Sequence, residues 1–227
     1  RAALDQISPI SLASIRGLDM AAAGAQASVV GQRMIAIADG SSRRARMTHY
    51  TVNKPAPYTG ILLAYAGNDL SSLDLRAADE RGTSPWGFFA SAVGGTGRLT
   101  EANGASGSQP GYSFTTGGLT AGADYRTGDH TAVGAAIGYL RGHASIYAPA
   151  AGTVDGNSAR LGVFGTAFSE RARASLYLGG AADFYKTRRD ITFSGISRTA
   201  TAAPRGRELN ANVGASFDLK THFWGTY

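Results

Sequence analysis

The chain of 227 residues has a net charge of +6, no cysteine and 31 glycines. The lack of cysteine excludes disulfide bonds and cysteine-ligated metal, and it suits a protein of the cell envelope. The basic residues are scattered apart from one cluster at 43–46 that no aromatic platform accompanies, so we expect no nucleic-acid partner.

The first predicted element is a helix at about residues 4–38, where apolar residues recur at helical spacing. A Ser-Pro pair at 8–9 can cap its start, and Asp-Gly at 39–40 stops it. Alanine and glycine dominate residues 20–31, so the helix is slim. Two interpretations stay open: a surface helix that packs closely against its support, or a helix narrow enough to lie inside a barrel.

A polar and basic stretch at 39–57 follows, and we interpret it as a linker that ends in Pro-Ala-Pro. The pattern at 58–84 does not decide between strand, short helix and loop. We therefore expect residues 1–84 to hold the helix and a linker, and residues 85–227 to form a β domain.

From residue 85 the chain alternates, with an apolar residue at every second position, which predicts β-strands. Six complete strands and the start of a seventh are predicted: 86–98, two strands within 111–147, 158–168, 174–188, 208–219, and a start at 222–224. No apolar run reaches the roughly 18 residues of a membrane-spanning helix. A β-barrel does not need such a run, because each strand presents only every second residue to lipid.

The predicted connections alternate in length. Those at 99–110, 148–157 and 192–206 are long, whereas those at 127–129 and 169–171 are short. Outer-membrane barrels have short turns at one end and long loops at the other. The alternation therefore favours an antiparallel, up-and-down transmembrane barrel.

The two faces of each predicted strand differ in chemistry. One face is padded with alanine and glycine between larger apolar residues, and in the hairpin at 111–147 it ends in tyrosines: Tyr112, Tyr125, Tyr139 and Tyr147. The opposite face carries charged and amide residues: Asp124, Arg126, Arg160, Asp183, Glu208, Asn210, Asn212 and Asp218. A soluble sandwich would bury bulkier residues on its apolar face. We predict that the polar residues face a barrel lumen.

Three motifs in these strands resemble the translocator domain of bacterial autotransporters (type V secretion). They are Trp-Gly-Phe-Phe at 86–89, Gly-Ala-Asp-Tyr-Arg at 122–126 and Gly-Tyr at 138–139, of which the second is the most specific. The segment at 4–38 resembles the part that precedes the barrel in that family. The resemblance covers residues 4–38 and 85–227.

The resemblance implies a monomeric barrel of twelve strands in the bacterial outer membrane, with the preceding helix in its lumen. The implied partners are the lipid bilayer, an N-terminal passenger that reaches the cell surface, and the barrel-assembly machinery. Because only six strands are complete, we expect the sequence to be a piece of a longer protein and not a working pore by itself.

A luminal helix would bring its polar residues to the wall. The candidates on the helix are Arg16, Gln26, Gln32 and Arg33, and the acidic wall residues are Asp124, Asp183, Glu208 and Asp218. Burial of such charges is tolerable in pairs or beside water. Pairing and plain solvation in a wet channel both stay open.

We expect the chain not to be an enzyme and to hold no cofactor or metal. Neither Gly-x-Ser-x-Gly nor His-Glu-x-x-His occurs, and the histidines are isolated: His49, His130, His143 and His222. Some members of the family cut themselves at paired asparagines on the helix, but this helix has none. One alternative is an outer-membrane barrel enzyme of the protease or lipase type, with Asp155 and His143 near its external rim. Another is a soluble β-sandwich adhesion module.

Overall fold

The computed structural model describes residues 10–40, 46–51, 69–77, 85–99, 102–104, 107–109, 111–148, 151–193 and 195–217. The elements in chain order are α1 (Ile10–Ala38), β1 (Arg46–Thr51), β2 (Asp69–Ala77), β3 (Trp86–Leu99), β4 (Ala102–Gly104), β5 (Gly107–Gln109), β6 (Tyr112–Gly128), β7 (Thr131–Ile146), β8 (Gly152–Phe168), β9 (Ala172–Phe193), β10 (Ile196–Ala202) and β11 (Arg205–Phe217).

The strands form an antiparallel meander. Nine strands make one sheet in the order β1-β2-β3-β6-β7-β8-β9-β10, and β11 pairs with β9 beside β10. Strands β4 and β5 form a separate two-stranded hairpin. Among the described residues no ladder closes the sheet into a ring. The predicted fold class, an all-β antiparallel meander preceded by a helix, is confirmed. The predicted start of a strand at 222–224 lies outside the described residues.

Helix α1 ends where the sequence predicts. The Asp39 N–H donates to the Ile35 carbonyl at 2.9 Å, and Gly40 has a φ of 67°, the left-handed conformation that commonly closes a helix. The predicted start at residue 4 and the Ser-Pro cap lie outside the described residues. Within the described part of the chain, no helix combines the length and the apolar character needed to cross a membrane.

The sheet extends into a segment expected to be a linker. Strand β1 pairs with β2 from Arg46↔Asp74 to Thr51↔Asp69, and β2 pairs with β3. The prediction of a linker at 39–57 is therefore wrong for residues 46–51, and the undecided segment contains a strand. The sequence of β2, DLSSLDLRA, breaks the two-residue alternation, which explains why the pattern did not reveal it.

All three predicted long connections contain strand, since β4 and β5 lie within 99–110 and the other two are shortened by their flanking strands. The pairing of β7 with β8 reaches Ile146↔Gly152, so their connection is shorter than 148–157. Strand β9 continues to Phe193, and β10 folds back along it. The predicted strands end too early because the outward residues become polar there, whereas the backbone hydrogen bonds between strands continue. Both predicted short turns are present, and the Ser169 N–H closes the second by donating to the Ala172 carbonyl at 2.7 Å.

The sheet exposes its apolar face and buries its polar face. Outward-facing Leu119 and Leu161 are 66% and 61% exposed, whereas inward-facing Asp124 and Arg160 are 3% and 4% exposed. This is the reverse of a soluble sheet, where the apolar face packs against a second layer. The exposure of the apolar face does not suit the alternative of a β-sandwich, which would bury that face.

One aromatic residue was assigned to the wrong face. Tyr112 is 3% exposed and packs against Phe114 in the buried cluster, whereas Tyr125 and Tyr139 are exposed. Tyr112 lies an odd number of residues from Leu119 on the same strand, and odd steps change face. The outward tyrosines therefore do not include Tyr112.

Helix α1 packs on the concave face of the sheet. It contacts β3, β6, β7, β8 and β9, which together span roughly 19 Å at about 4.8 Å per strand spacing. A helix is only about 10 Å wide, so the sheet must curve around it. The interface is built from small and apolar residues: Ala22, Ala25, Val29 and Val30 of the helix, and Ala132, Ala136, Leu140 and Phe164 of the wall. The slim helix therefore packs against the inner face of the sheet, although the described strands do not close around it.

The outward face of β9 shows the height of the apolar band. Its outward residues from Ala174 to Phe184 are all apolar or glycine, and Lys186, Arg188 and Asp190 follow on the same face. Ten residue steps at roughly 3.3 Å cover about 33 Å along the strand. At a tilt of about 40° this projects to roughly 25 Å, the height of the lipid-facing band of outer-membrane barrels.

Candidate functional site in the concave face

A buried ion pair joins the C-terminal half of α1 to β6. The Arg33 Nε lies 2.7 Å from Asp124 Oδ2, and each side chain is only 4% exposed. The guanidinium also lies over the Phe89 ring, with its carbon 5.5 Å from the ring centroid. Gly87 of β3 is paired with Asp124, and a Cβ there would strike both members of the ion pair. The missing side chain of Gly87 thus makes room for the contact.

A second polar junction centres on Arg160 of β8. Its Nε donates to Gln26 Oε1 of the helix at 3.1 Å, and its Nη1 donates to Ser158 Oγ at 3.1 Å. Its Nη2 donates to Glu208 Oε1 at 2.7 Å, and Asn210 Nδ2 donates to the same oxygen at 2.9 Å. One guanidinium therefore ties α1 to two strands of the wall.

Three carboxylates gather beside this junction. Asp19 of α1, Asp183 of β9 and Glu208 of β11 each offer an oxygen within 4.8 Å of the others, and the Tyr185 hydroxyl donates to Asp19. Carboxylate oxygens at this spacing could hold a hard cation. Arg160 already supplies one positive charge to the group. The cluster thus gathers three carboxyl groups around one guanidinium.

Cationic wall residues contact the C-terminal end of α1. The Arg126 Nη2 donates to the Ile37 carbonyl at 3.2 Å, and Arg173 forms an ion pair with Asp39. Positive charge at a helix C-terminus is favourable because the terminal carbonyls carry partial negative charge. These contacts fix the position of the helix end near the short turns.

The remaining predicted site residues are placed less centrally. Gln32 Nε2 donates to Ser28 Oγ within the helix at 3.5 Å, and Arg16 and Asn212 are exposed. Asp183 is the exception, since it is 2% exposed and belongs to the group of three carboxyl groups beside Arg160. Asp218 lies outside the described residues. Seven predicted residues thus meet in the two junctions and at the helix end: Gln26, Arg33, Asp124, Arg126, Arg160, Glu208 and Asn210.

Several buried polar atoms between helix and wall have no hydrogen-bond partner among the described residues. They are Gln26 Nε2, Thr120 Oγ1, Tyr177 OH, Asp183 Oδ1, Glu208 Oε2 and Asn210 Oδ1. Buried polar groups are normally satisfied by protein or ordered water. This interface is therefore rich in polar groups, unlike the apolar core of a soluble domain.

Sequence reasoning missed Asp19, Asp39 and Tyr185, and it missed the inner-face glycines. A Cβ at Gly142 of β7 would lie 2.7 Å from Leu18 Cδ2 of the helix. A glycine on the polar face of a strand was the available signal, because it marks where another element approaches closely.

Replacement of Gly142 by leucine is expected to push α1 away from β7. Such overpacking should cost about 1–3 kcal/mol of stability. The full-length protein, folded in detergent, can be titrated with urea, with folded and unfolded forms separated by gel mobility. The matched control is Gly117→Leu, on the outward face of β6, which should shift the midpoint far less. An equal shift in both variants would contradict the close approach of the helix.

A separate cluster lies on the outward face, where two strands extend past the apolar band. The His143 Nδ1 is 2.8 Å from Asp155 Oδ1, and Ser145 Oγ is 3.3 Å from His143 Nε2. The prediction that His143 is isolated is therefore wrong, because the fold brings Asp155 and Ser145 into contact with it. Asp155 and His143, named together for the alternative of a barrel enzyme, do meet.

Comparison with protein-family models gives one finding for this chain. The model described as the autotransporter beta-domain matches residues 88–226, which include most of β3 and all of β4–β11. Comparisons with curated proteins and with solved structures gave no match.

Proposed function

The chain belongs to the autotransporter beta-domain family, and from this premise we propose that it forms part of a translocator that carries an N-terminal passenger across the outer membrane. In this proposal the barrel is a monomer that the barrel-assembly machinery inserts. Residues 1–84 connect the passenger to the barrel and also supply β1 and β2 to its sheet.

The observation that carries the proposal is the inverted polarity of the sheet, whose polar face lies against helix α1 and whose apolar face is exposed. An apolar outer face suits lipid, and a polar inner face suits a water-filled lumen. The helix lies against the inner face, where a chain that leads from the passenger to the membrane anchor would pass. Membership of the family supports the outer-membrane location, and the position of the helix against the inner face supports the proposed route of the passenger.

The helix–wall contacts also suit an element that arrives in the lumen during secretion. The apolar residues that the helix brings to the wall are mainly alanine and valine, joined by Met34 and Ile37 near its C-terminal end. The fixed points are the junctions at Arg33 and Arg160 and the contacts of Arg126 and Arg173 at the helix end. A slim helix with a few polar anchors can enter a hydrated channel and then stop at a defined depth.

Surface exposure of epitopes tests the proposal. In the full-length protein, one epitope is placed ahead of the helix, a second beside Gly195 in the β9–β10 hairpin and a third at Glu170 in the β8–β9 turn. Protease added to intact cells should remove the first two and spare the third until the outer membrane is permeabilised. Protection of the first epitope in intact cells, with the second still digested, would contradict passenger transfer. Digestion of the third instead of the second would contradict the proposed orientation.

Leu178 lies near the middle of the outward apolar band of β9. Its replacement by arginine is expected to cost about 2–4 kcal/mol, because the charge would face lipid near the bilayer midplane. Thr201→Arg, on the outward face of β10 beyond the band, should cost about 0–1 kcal/mol. Urea titration of both variants in lipid vesicles measures the difference. Equal stability of the two would argue against lipid contact at Leu178.

A further inference from the structure

The outward face of β7 and β8 holds a serine, a histidine and an aspartate in hydrogen-bonded sequence. Because the Asp155 carboxylate can only accept, the proton of the imidazole lies on His143 Nδ1 and is donated to Asp155 Oδ1 at 2.8 Å. The other ring nitrogen, Nε2, is then the acceptor for the Ser145 hydroxyl at 3.3 Å. This is the order of contacts in a nucleophile–base–acid triad, which is recognised by geometry and not by sequence position.

The topology of the sheet produces this arrangement. His143 and Ser145 are two residues apart on β7, so both side chains point outward. Asp155 is the direct partner of His143 in the β7–β8 register. The side chains of His143 and Asp155 are 52% and 44% exposed. The three groups are therefore held by the backbone ladder and stay open to a substrate.

The cluster lies just beyond the apolar band. Tyr139 lies four residues before His143, on the same face of β7. Its hydroxyl donates to Asn157 Oδ1 at 2.8 Å. Below Tyr139 the outward face of β7 carries Ile137, which is 63% exposed. Aromatic residues mark the boundary between hydrocarbon and headgroups in such barrels. Ser145 lies six residues beyond Tyr139 on β7, so its hydroxyl lies on the headgroup side of this boundary, past the apolar band.

Cations flank the cluster on the side of β9. Lys186 is the register partner of Asp155, and Arg188 is the register partner of Thr153, which in turn pairs with Ser145. Both cations are exposed on the outward face. Positive groups beside a nucleophile can stabilise the oxyanion that forms on attack, or a phosphate of the lipid headgroup.

From this juxtaposition we propose that Ser145, His143 and Asp155 form a hydrolase site that cleaves acyl esters of membrane lipids, with Ser145 as nucleophile, His143 as general base and acid, and Asp155 as the group that orients the imidazole. The activity goes beyond the proposed translocator function. It rests on that function for one point, the contact of the outward face with lipid.

The chemistry balances with water as the only co-reactant. Ser145 Oγ attacks the acyl carbonyl carbon while its proton passes to His143 Nε2. The tetrahedral intermediate breaks the bond to the lipid alcohol, which leaves with the proton from His143, and the acyl group remains as an ester on Ser145. Water then attacks this ester, again losing a proton to His143, and releases a fatty acid as Ser145 regains its hydrogen.

The test uses the full-length protein, folded in detergent, with mixed micelles of phosphatidylethanolamine as the substrate and a long-chain alkyl fluorophosphonate as a covalent probe. We expect release of fatty acid and a probe adduct that peptide mass spectrometry places on Ser145. Ser145→Ala should abolish the adduct. Ser145→Ala and Asp155→Asn should each lower acyl release at least about a hundredfold. Ser113→Ala, a serine directly opposite Ser145 in the β6–β7 register, is the matched control and should retain both.

Two results would overturn the proposal: a folded wild-type protein that neither releases fatty acid nor binds the probe, or a Ser145→Ala variant that keeps its activity. Epitope exposure is measured on the same variants, and Ser145→Ala should display the passenger normally. Failure of hydrolysis with normal display refutes the lipase site alone. Failure of display in the wild type refutes the translocator function, and a wild type that forms no barrel contradicts both.

Discussion

Replacement of Arg160 by methionine is expected to destabilise the folded protein by about 3–5 kcal/mol, because buried Asp183 and partly buried Glu208 then lack the cation beside them. Arg160 donates to Glu208 and to Gln26 of the helix, and the carboxylates of Asp19 and Asp183 lie within 4.8 Å of Glu208. The loss should appear as a lower urea midpoint for the full-length protein in lipid vesicles. The same variant should loosen α1, since its contact with Gln26 disappears.

The effect of Arg160→Met can be separated from general damage. Adding Glu208→Gln removes one of the uncompensated charges and should restore part of the lost stability. Arg171→Met, which removes an exposed cation from the β8–β9 turn, should change stability by no more than a few tenths of a kcal/mol. Equal losses in Arg160→Met and Arg171→Met would contradict the view that the junction is electrostatic.

The second large effect is expected at Arg33. Arg33→Met leaves the Asp124 carboxylate buried and without the cation that lies 2.7 Å away, and we again expect a loss of about 3–5 kcal/mol. Because the pair connects helix to wall, the variant should also raise the ionic conductance of the barrel in planar bilayers. Stability and conductance together report whether the pair holds the helix in place.

A double replacement tests whether the Arg33–Asp124 pair acts as a unit. Arg33→Met with Asp124→Leu removes both charges and should recover much of the stability that Arg33→Met loses, as for other buried pairs replaced by apolar residues. Gln32→Met, next to Arg33 on the helix, is the control for altered helix packing. A double variant as unstable as the sum of its single variants would show that the two charges do not interact.

The inward positions of the wall followed from the sequence, because alternation along a strand assigns each residue to a face. Asp124, Arg160 and Asp183 were placed on the polar face in this way, and all three are buried there. The same rule, applied with the wrong parity, misplaced Tyr112. Alternation gives the face of a residue but not its depth or its neighbour.

The register between neighbouring strands could not be predicted from the sequence. This register determines whether Asp155 comes into contact with His143 in the outward cluster. His143 and Ser145 share a face in any alignment, whereas Asp155 meets His143 only in the observed register of β7 and β8. Register is set by the pattern of buried residues and by turn geometry, and the positions of His143, Ser145 and Asp155 in the sequence do not reveal it. For this reason no sequence motif indicates the triad.

The acidic partners on the helix were missed for a different reason. Small residues occupy much of α1 on every side, so the sequence did not reveal which face meets the wall. Asp19 and Asp39 were therefore not assigned to that face, although one accepts from Tyr185 and the other pairs with Arg173.

The central claim is that lipid covers the apolar outer face while water and the helix occupy the polar inner face. Because the chain has no cysteine, single cysteines can carry spin labels at Leu178 on the outer face, Asn212 on the inner face and Lys186 beyond the band. In lipid vesicles the label at 178 should collide with oxygen more than with a water-soluble nickel complex, and the labels at 186 and 212 should show the reverse. Nickel access at 178 with oxygen access at 212 would contradict the account.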